Sequence, residues 1–149
     1  MRFSKQWGVV KMLPACSQNE PSWMVIAKKE LGESEIVGIK ANPRIIEYHK
    51  SVSLHASSDE VPWCSSFVNW CMMGANKPRT HSAAALSWLH YGKELTKPVL
   101  GCIVVFQHHV GFYIGETSDC VNLLGGNQHD KVSIAPFLKK NVLSYRFPL

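Results

Sequence analysis

Apolar residues in the first half of the chain recur at helical spacing. Between Ser22 and Leu31 they fall at Trp23, Ile26, Ala27 and Leu31, and Gly32 closes the run, which predicts a helix capped by Ser22. Asn42-Pro43 opens a second helix through Ile45, Ile46 and Tyr48 that fades near Ser51. Proline fits the first helical turn because its missing N–H has no helical partner there. A third helix starts after Pro62, with Asp59 or Ser58 as its cap. Its apolar face is Trp63, Phe67, Trp70 and Cys71, and Gly74 ends it. The Ala-rich stretch from Ser82 to Tyr91, with Leu86 and Leu89 apolar and Gly92 behind it, predicts a fourth.

After Pro98 the pattern shortens to strands. The run from Cys102 to Phe106 is apolar throughout, as expected of a strand buried on both faces. Gln107-His108 forms a turn and His109 to Gly115 returns, with Val110, Phe112 and Ile114 facing the core and His109, Gly111 and Tyr113 opposite. Val121 to Leu124 is a third strand ended by Gly125-Gly126, Lys131 to Ile134 a fourth, and Val142 to Phe147 the last. Helices first and an antiparallel β-meander afterwards predict a single α+β domain over residues 22–149, behind a flexible arm at 1–21.

Composition narrows the class. With 46% hydrophobic and 18% charged residues the chain is an ordinary globular protein. A net charge of +5 points to an anionic partner: nucleic acid, acidic lipid or a cell-wall polymer. No Lys/Arg run exceeds a pair and no aromatic residues interleave with a basic stripe, so nucleic acid is not expected. No apolar run is long enough to span a membrane, and no stable membrane insertion is expected. Near the N-terminus Leu13-Pro14-Ala15-Cys16 looks like a lipoprotein cleavage box, but Lys11 interrupts an apolar segment already too short for export.

Five cysteines leave at least one unpaired. Cys64 and Cys71 are separated by about 10 Å along one helix, too far for a disulfide. Cys64 is the one with a chemical setting, because unpaired N–H groups and the positive end of the helix dipole favour a thiolate there. A cysteine nucleophile needs a base and a group that orients it. Of the seven histidines, His49, His55, His81 and His90 are most simply solvated surface residues. His109 lies at a strand start beside Gly111, which leaves room for a neighbour, whereas His108 belongs to the turn. Asn127, at the end of the next strand, can accept from the imidazole and fix its tautomer, although Gly125-Gly126-Asn127 also reads as a plain turn.

Four segments together carry a resemblance: Asp59 to Cys71 around Pro62-Trp63-Cys64-Ser65-Ser66-Phe67-Val68, Gly101 to Phe106, His109-Val110-Gly111-Phe112-Tyr113-Ile114-Gly115, and Leu124-Gly125-Gly126-Asn127-Gln128. From about Trp23 to Pro148 the chain resembles the small NlpC/P60- and CHAP-like proteins of bacteria and phages, which have papain-like folds and act on peptidoglycan. The resemblance implies Cys64 as nucleophile, His109 as base and Asn127 as the polar third member. Trp63, Tyr113 and Gln128 beside them are candidates for substrate contact. The sequence departs from the pattern at His108, where glycine is frequent, and at Cys102, where aspartate is frequent and where a thiol now stands near the expected site.

The implied protein is a cysteine peptidase or amidase that needs no cofactor or metal. It would be monomeric, made in the cytoplasm and active in the periplasm or wall, reached through secretion or lysis machinery, with an immunity protein as a further possible partner. Two rivals remain. A zinc amidase could use His108, His109 and His129 with Cys102 or Cys120, although HExxH and paired CxxC motifs are absent. A non-catalytic wall- or partner-binding module could share the fold.

Overall fold

The first three predicted helices form. In the computed structural model, which describes residues 20–36, 41–53 and 62–149, α1 spans Ser22–Lys29, α2 Pro43–His49 and α3 Cys64–Gly74. Asn42 caps α2 by accepting the Arg44 N–H at 2.8 Å, with Pro43 in the first turn. Ser22 is the first residue of α1 rather than its cap; Pro21 holds that position and no side chain fills it. Trp63 precedes α3, again without a side-chain cap. The expected caps Ser58 and Asp59 lie outside the described residues, as do Cys16, His55 and residues 1–19 of the expected arm.

Around α3 the rest of the molecule is packed. Trp63, Phe67, Val68, Cys71 and Met72 are fully buried. The Tyr48 ring of α2 packs against those of Trp63, Phe67 and Trp70 at centroid distances of 5.8, 5.1 and 5.1 Å. Burying one such side chain is worth about 1.5–3 kcal/mol, so this aromatic stripe fixes α3 against α2 and, through Phe67 and Phe112, against the sheet. The remaining side of α3 is equally buried but polar: Ser65, Ser66 and Asn69 have no exposure. Ser66 Oγ lies 2.8 Å from Nδ1 of His49, which is itself fully buried and not the surface histidine its sequence position implied.

Six antiparallel strands form one sheet in the order β1-β6-β2-β3-β4-β5. They are β1 (Lys93–Leu95), β2 (Ile103–Val105), β3 (Val110–Glu116), β4 (Cys120–Gly125), β5 (Ser133–Leu138) and β6 (Ser144–Phe147). The architecture is therefore α+β as expected. Strands β2 to β5 make the expected meander, but β6 departs from it by inserting between β2 and the short edge strand β1. Strand β2 is buried on both faces. Ile103 and Val105 join the core beneath α3, while Cys102, Val104 and Phe106 join a second cluster with Val121 and Leu123.

The predicted fourth helix does not form; the segment holds only a 3-10 turn at Ala85–Trp88. Ser65 Oγ and Asn69 Nδ2 of α3 both donate to the Ser82 carbonyl, at 2.7 and 3.2 Å, occupying an acceptor that a helix starting there would use. Ser82 Oγ accepts the Ala84 N–H at 3.1 Å, the bond of a helix cap, and only the 3-10 turn follows it.

Candidate active site

Cys64 is the first residue of α3 and only 7% exposed. It sits in a cleft of about 380 Å³ lined also by Pro62, by residues 83–86 and by Gln107 and His108. Burial pushes the Cys64 thiol above its ordinary pKa; the N–H groups of Val110, Ser65 and Cys64 itself pull it the other way but do not win. The sulfur at rest is thus a thiol, not the thiolate that the helix terminus alone predicts. Desolvation outweighs the dipole because the first turn of α3 is enclosed rather than open to water.

His109 immediately precedes β3, where the β2–β3 hairpin is closed by the Phe106 N–H donating to the His109 carbonyl at 2.8 Å. Its Nε2 lies 3.0 Å from Oε1 of Gln128. The Gln128 amide nitrogen donates to the carbonyls of Leu123 at 3.1 Å and Ser133 at 2.8 Å. Only one orientation of that amide satisfies both carbonyls, so its oxygen must face the ring. His109 Nε2 therefore carries the proton and donates it to Gln128, which leaves the Nδ1 lone pair as the basic site. Phe137 stacks on the ring at 4.8 Å and 15°. Burial lowers the His109 pKa, and the Gln128 bond opposes that shift.

Two glycines make room for this arrangement. A Cβ on Gly125 would collide with Gln128 Oε1, and one on Gly111 would meet Leu123 at 3.3 Å and Gln128 Oε1 at 3.5 Å. The space beside His109 foreseen at Gly111 is thus filled by the Gln128 amide. Gly126 is hemmed in by the cysteine helix instead: a Cβ there would lie 2.7 Å from Phe67 Cβ and 2.8 Å from the Trp63 ring.

Cys64 and His109 are brought to neighbouring backbone positions, since the Val110 N–H that acts on the sulfur belongs to the residue after His109. No hydrogen bond joins the sulfur to the imidazole among the described residues. The two side chains have different resting partners, the sulfur three backbone N–H groups and the ring Gln128.

The orienting role expected of Asn127 falls one residue later. Asn127 adopts φ +59° and makes no side-chain hydrogen bond among the described residues, lining instead an outer hollow with His109 and His129. His129 and Asp130 are also left-handed, at φ +60° and +63°, so strand alternation stops at Gly125 and cannot be extrapolated to residue 127. Gln128, 3% exposed, is committed to His109 and two carbonyls rather than to substrate contact. Trp63 is likewise no contact surface: it is fully buried and donates through Nε1 to Glu35 at 2.8 Å. Tyr113 donates to Glu116 at 2.8 Å and packs in the second cluster, away from the Cys64 cleft. Cys102 is no thiol at the site either, standing three residues, about 10 Å, along the strand from Val105, its pKa pushed up to about 11 by burial.

Two participants escaped the sequence reading, Ser65 and Asn69. Besides holding Ser82, Asn69 accepts the His81 N–H at 2.8 Å, and Ser65 Oγ accepts from Trp88 Nε1 at 2.9 Å. Their signal was available: two polar residues at i, i+4 in a helix otherwise apolar on nearly every side. Among the described residues no set of three His, Cys, Asp or Glu side chains gathers as metal ligands. Compared with known proteins, the chain matches no family model and no curated protein.

Proposed function

We propose that the chain is a cysteine-dependent peptidase or amidase of papain-like, NlpC/P60-type fold that opens an amide bond in peptidoglycan. The observation that carries the reading is the chain of bonds from the Leu123 and Ser133 carbonyls through Gln128 to His109, which leaves Nδ1 as a base beside the cysteine at the start of α3. In this reading the imidazole turns onto the sulfur and Nδ1 takes the thiol proton. The sulfur then attacks the amide carbonyl, the N–H groups at the helix start stabilise the oxyanion, and the proton passes to the leaving amine. Water opens the thioester and restores the thiol. Neutral thiol and neutral imidazole at rest fit general-base activation rather than a preformed ion pair. Tight catalytic hydrogen bonds often form only with substrate bound. The peptidoglycan substrate rests on the sequence resemblance and on the basic surface, and places the activity in the periplasm or wall.

The resting separation of sulfur and ring favours a second reading, a wall- or partner-binding module with an idle site. Digestion of purified peptidoglycan, followed by mass spectrometry of the released fragments, separates the two. The hydrolase yields new amine and carboxyl termini that disappear with iodoacetamide or with Cys64→Ala, and that survive EDTA. Sedimentation with sacculi and no new termini would establish the binding module, and inhibition by EDTA alone would establish the zinc rival.

A further inference from the structure

The wall facing Cys64 has features that general catalysis does not require. Residues 83–85 are three consecutive alanines, Leu86 follows, and among the described residues no Lys, Arg, Asp or Glu side chain lines the cleft, in a protein carrying sixteen Lys and Arg. The segment is also pinned with unusual care for a loop. Ser82 receives two side-chain bonds from α3, the His81 N–H goes to Asn69 Oδ1, and Ser87 Oγ donates to Thr80 Oγ1 at 2.9 Å. Asn69 is fully buried and also donates to the Ser65 carbonyl at 3.0 Å. A wall that only closed off solvent would not need a buried carboxamide to set its distance from the nucleophile.

Direction follows from the histidine. His109, with Gln128 and Phe137, marks the side on which a leaving amine must be protonated. His109 and Phe137 line two other hollows and not the cleft that holds Cys64 with residues 83–86. We infer that residues 83–86 form the specificity wall for the acyl side of the scissile amide, receiving a small, uncharged, apolar side chain, and that Asn69 is the positioning residue of that wall. The inference rests on Cys64 being the nucleophile. The cleft lies at the lower end of the usual range for ligand sites, roughly 300–1,000 Å³. Its polar side chains, Gln107 and His108, are apart in sequence from residues 83–86, which offer only methyl and isobutyl groups, so a side chain laid against that wall gains apolar burial.

Peptidyl chloromethyl ketones test this without turnover, because the ketone places the acyl residue's side chain beside the sulfur while a carbon–sulfur bond forms and chloride leaves. N-acetylated ketones of glycine, alanine, phenylalanine and glutamate are compared on the full chain, with Cys64 labelling followed by mass spectrometry. The alanyl ketone is expected to label about tenfold faster than the phenylalanyl or glutamyl one, the scale set by a few methylenes or one unpartnered charge in an apolar pocket. Ala84→Leu should slow the alanyl ketone by a similar factor, the glycyl ketone less, and iodoacetamide, the smallest reagent, least of all. Asn69→Ala, or Asn69→Asp where the alanine variant does not fold, should bring the four rates together while iodoacetamide still reacts. Equal rates in the unaltered protein, a faster glutamyl ketone, or unchanged ratios in Ala84→Leu would overturn the wall. Loss of hydrolysis with this ranking intact would overturn only the hydrolase reading.

Discussion

The two sides of the cleft use the same device for different ends. On one side Asn69, a buried carboxamide, holds the 80–82 segment to α3. On the other Gln128, also a buried carboxamide, holds the turn after β4 to β5 and, with its oxygen, the ring of His109. Each directs its amide hydrogens to backbone carbonyls. They differ in what the oxygen meets: a backbone N–H for Asn69, a titratable imidazole for Gln128. A buried amide whose bonds end on backbone groups and neighbouring hydroxyls is architecture. One whose last bond ends on a histidine sets a tautomer, so its loss should be felt in chemistry before it is felt in stability.

The largest effect expected from this contrast is at the histidine itself. Under the hydrolase reading His109→Ala should cost about 10²–10⁴-fold in turnover. His108→Ala, on the exposed rim of the cleft, should cost far less. Equal losses measured on folded proteins would return the zinc alternative to consideration.

Next comes the amide. Gln128→Ala should lower turnover by more than its fall in thermal midpoint accounts for, whereas Asn127→Ala should leave activity per folded molecule nearly unchanged. Gln128→Glu sharpens the point. It keeps an acceptor for the ring but sets carboxylate oxygens against the Leu123 and Ser133 carbonyls, and leaving buried polar groups unpaired costs about 1–3 kcal/mol each. A fully active and stable Gln128→Glu would show that the amide hydrogens do not matter.

The pH dependence of Cys64 alkylation is a subtler test. Burial raises the thiol pKa and lowers the imidazole pKa, and both shifts work against a thiolate–imidazolium pair. Iodoacetamide labelling should climb continuously as pH rises towards and past the ordinary thiol range, and His109→Ala should barely change the curve. A rate plateau reached already below neutrality and abolished in His109→Ala would reveal the ion pair instead.

The smallest effect concerns charge. Sixteen Lys/Arg against 11 Asp/Glu should draw the protein to an anionic polymer, an attraction screened over about 8 Å at physiological salt. Activity on whole sacculi should fall with added salt, and activity on a short neutral muropeptide should not. Coincident salt curves would remove the electrostatic contribution.

What could be read from the sequence was what periodicity controls. The buried stripe of α3, the start of α2 at Asn42-Pro43 and the doubly buried β2 all follow from residue spacing. The failures have local causes. At the start of the expected 82–91 helix, Ser65 and Asn69 claim the Ser82 carbonyl that a helix would use, a tertiary bond no local periodicity signals. Strand β1 carries two exposed residues and one half-buried, so it has no apolar signature and exists because β6 pairs with it. Periodicity also placed Cys64 at the start of α3 and His109 at the entry to β3, where the structure has them. It slipped by one residue at Asn127, where left-handed backbone interrupts the alternation and delivers Gln128 to the ring.

The contact at Gly126 has a consequence for how the protein fails. With no room for even a methyl group against Phe67 and Trp63, the turn leading to Gln128 is keyed into the base of the cysteine helix. The two halves of the site cannot drift apart while the aromatic core between them stays assembled. Heating should therefore end function and fold in one event, with no softened, partly competent form in between. A lineage wishing to retune the site would find its freedom in the alanine wall, not in this joint.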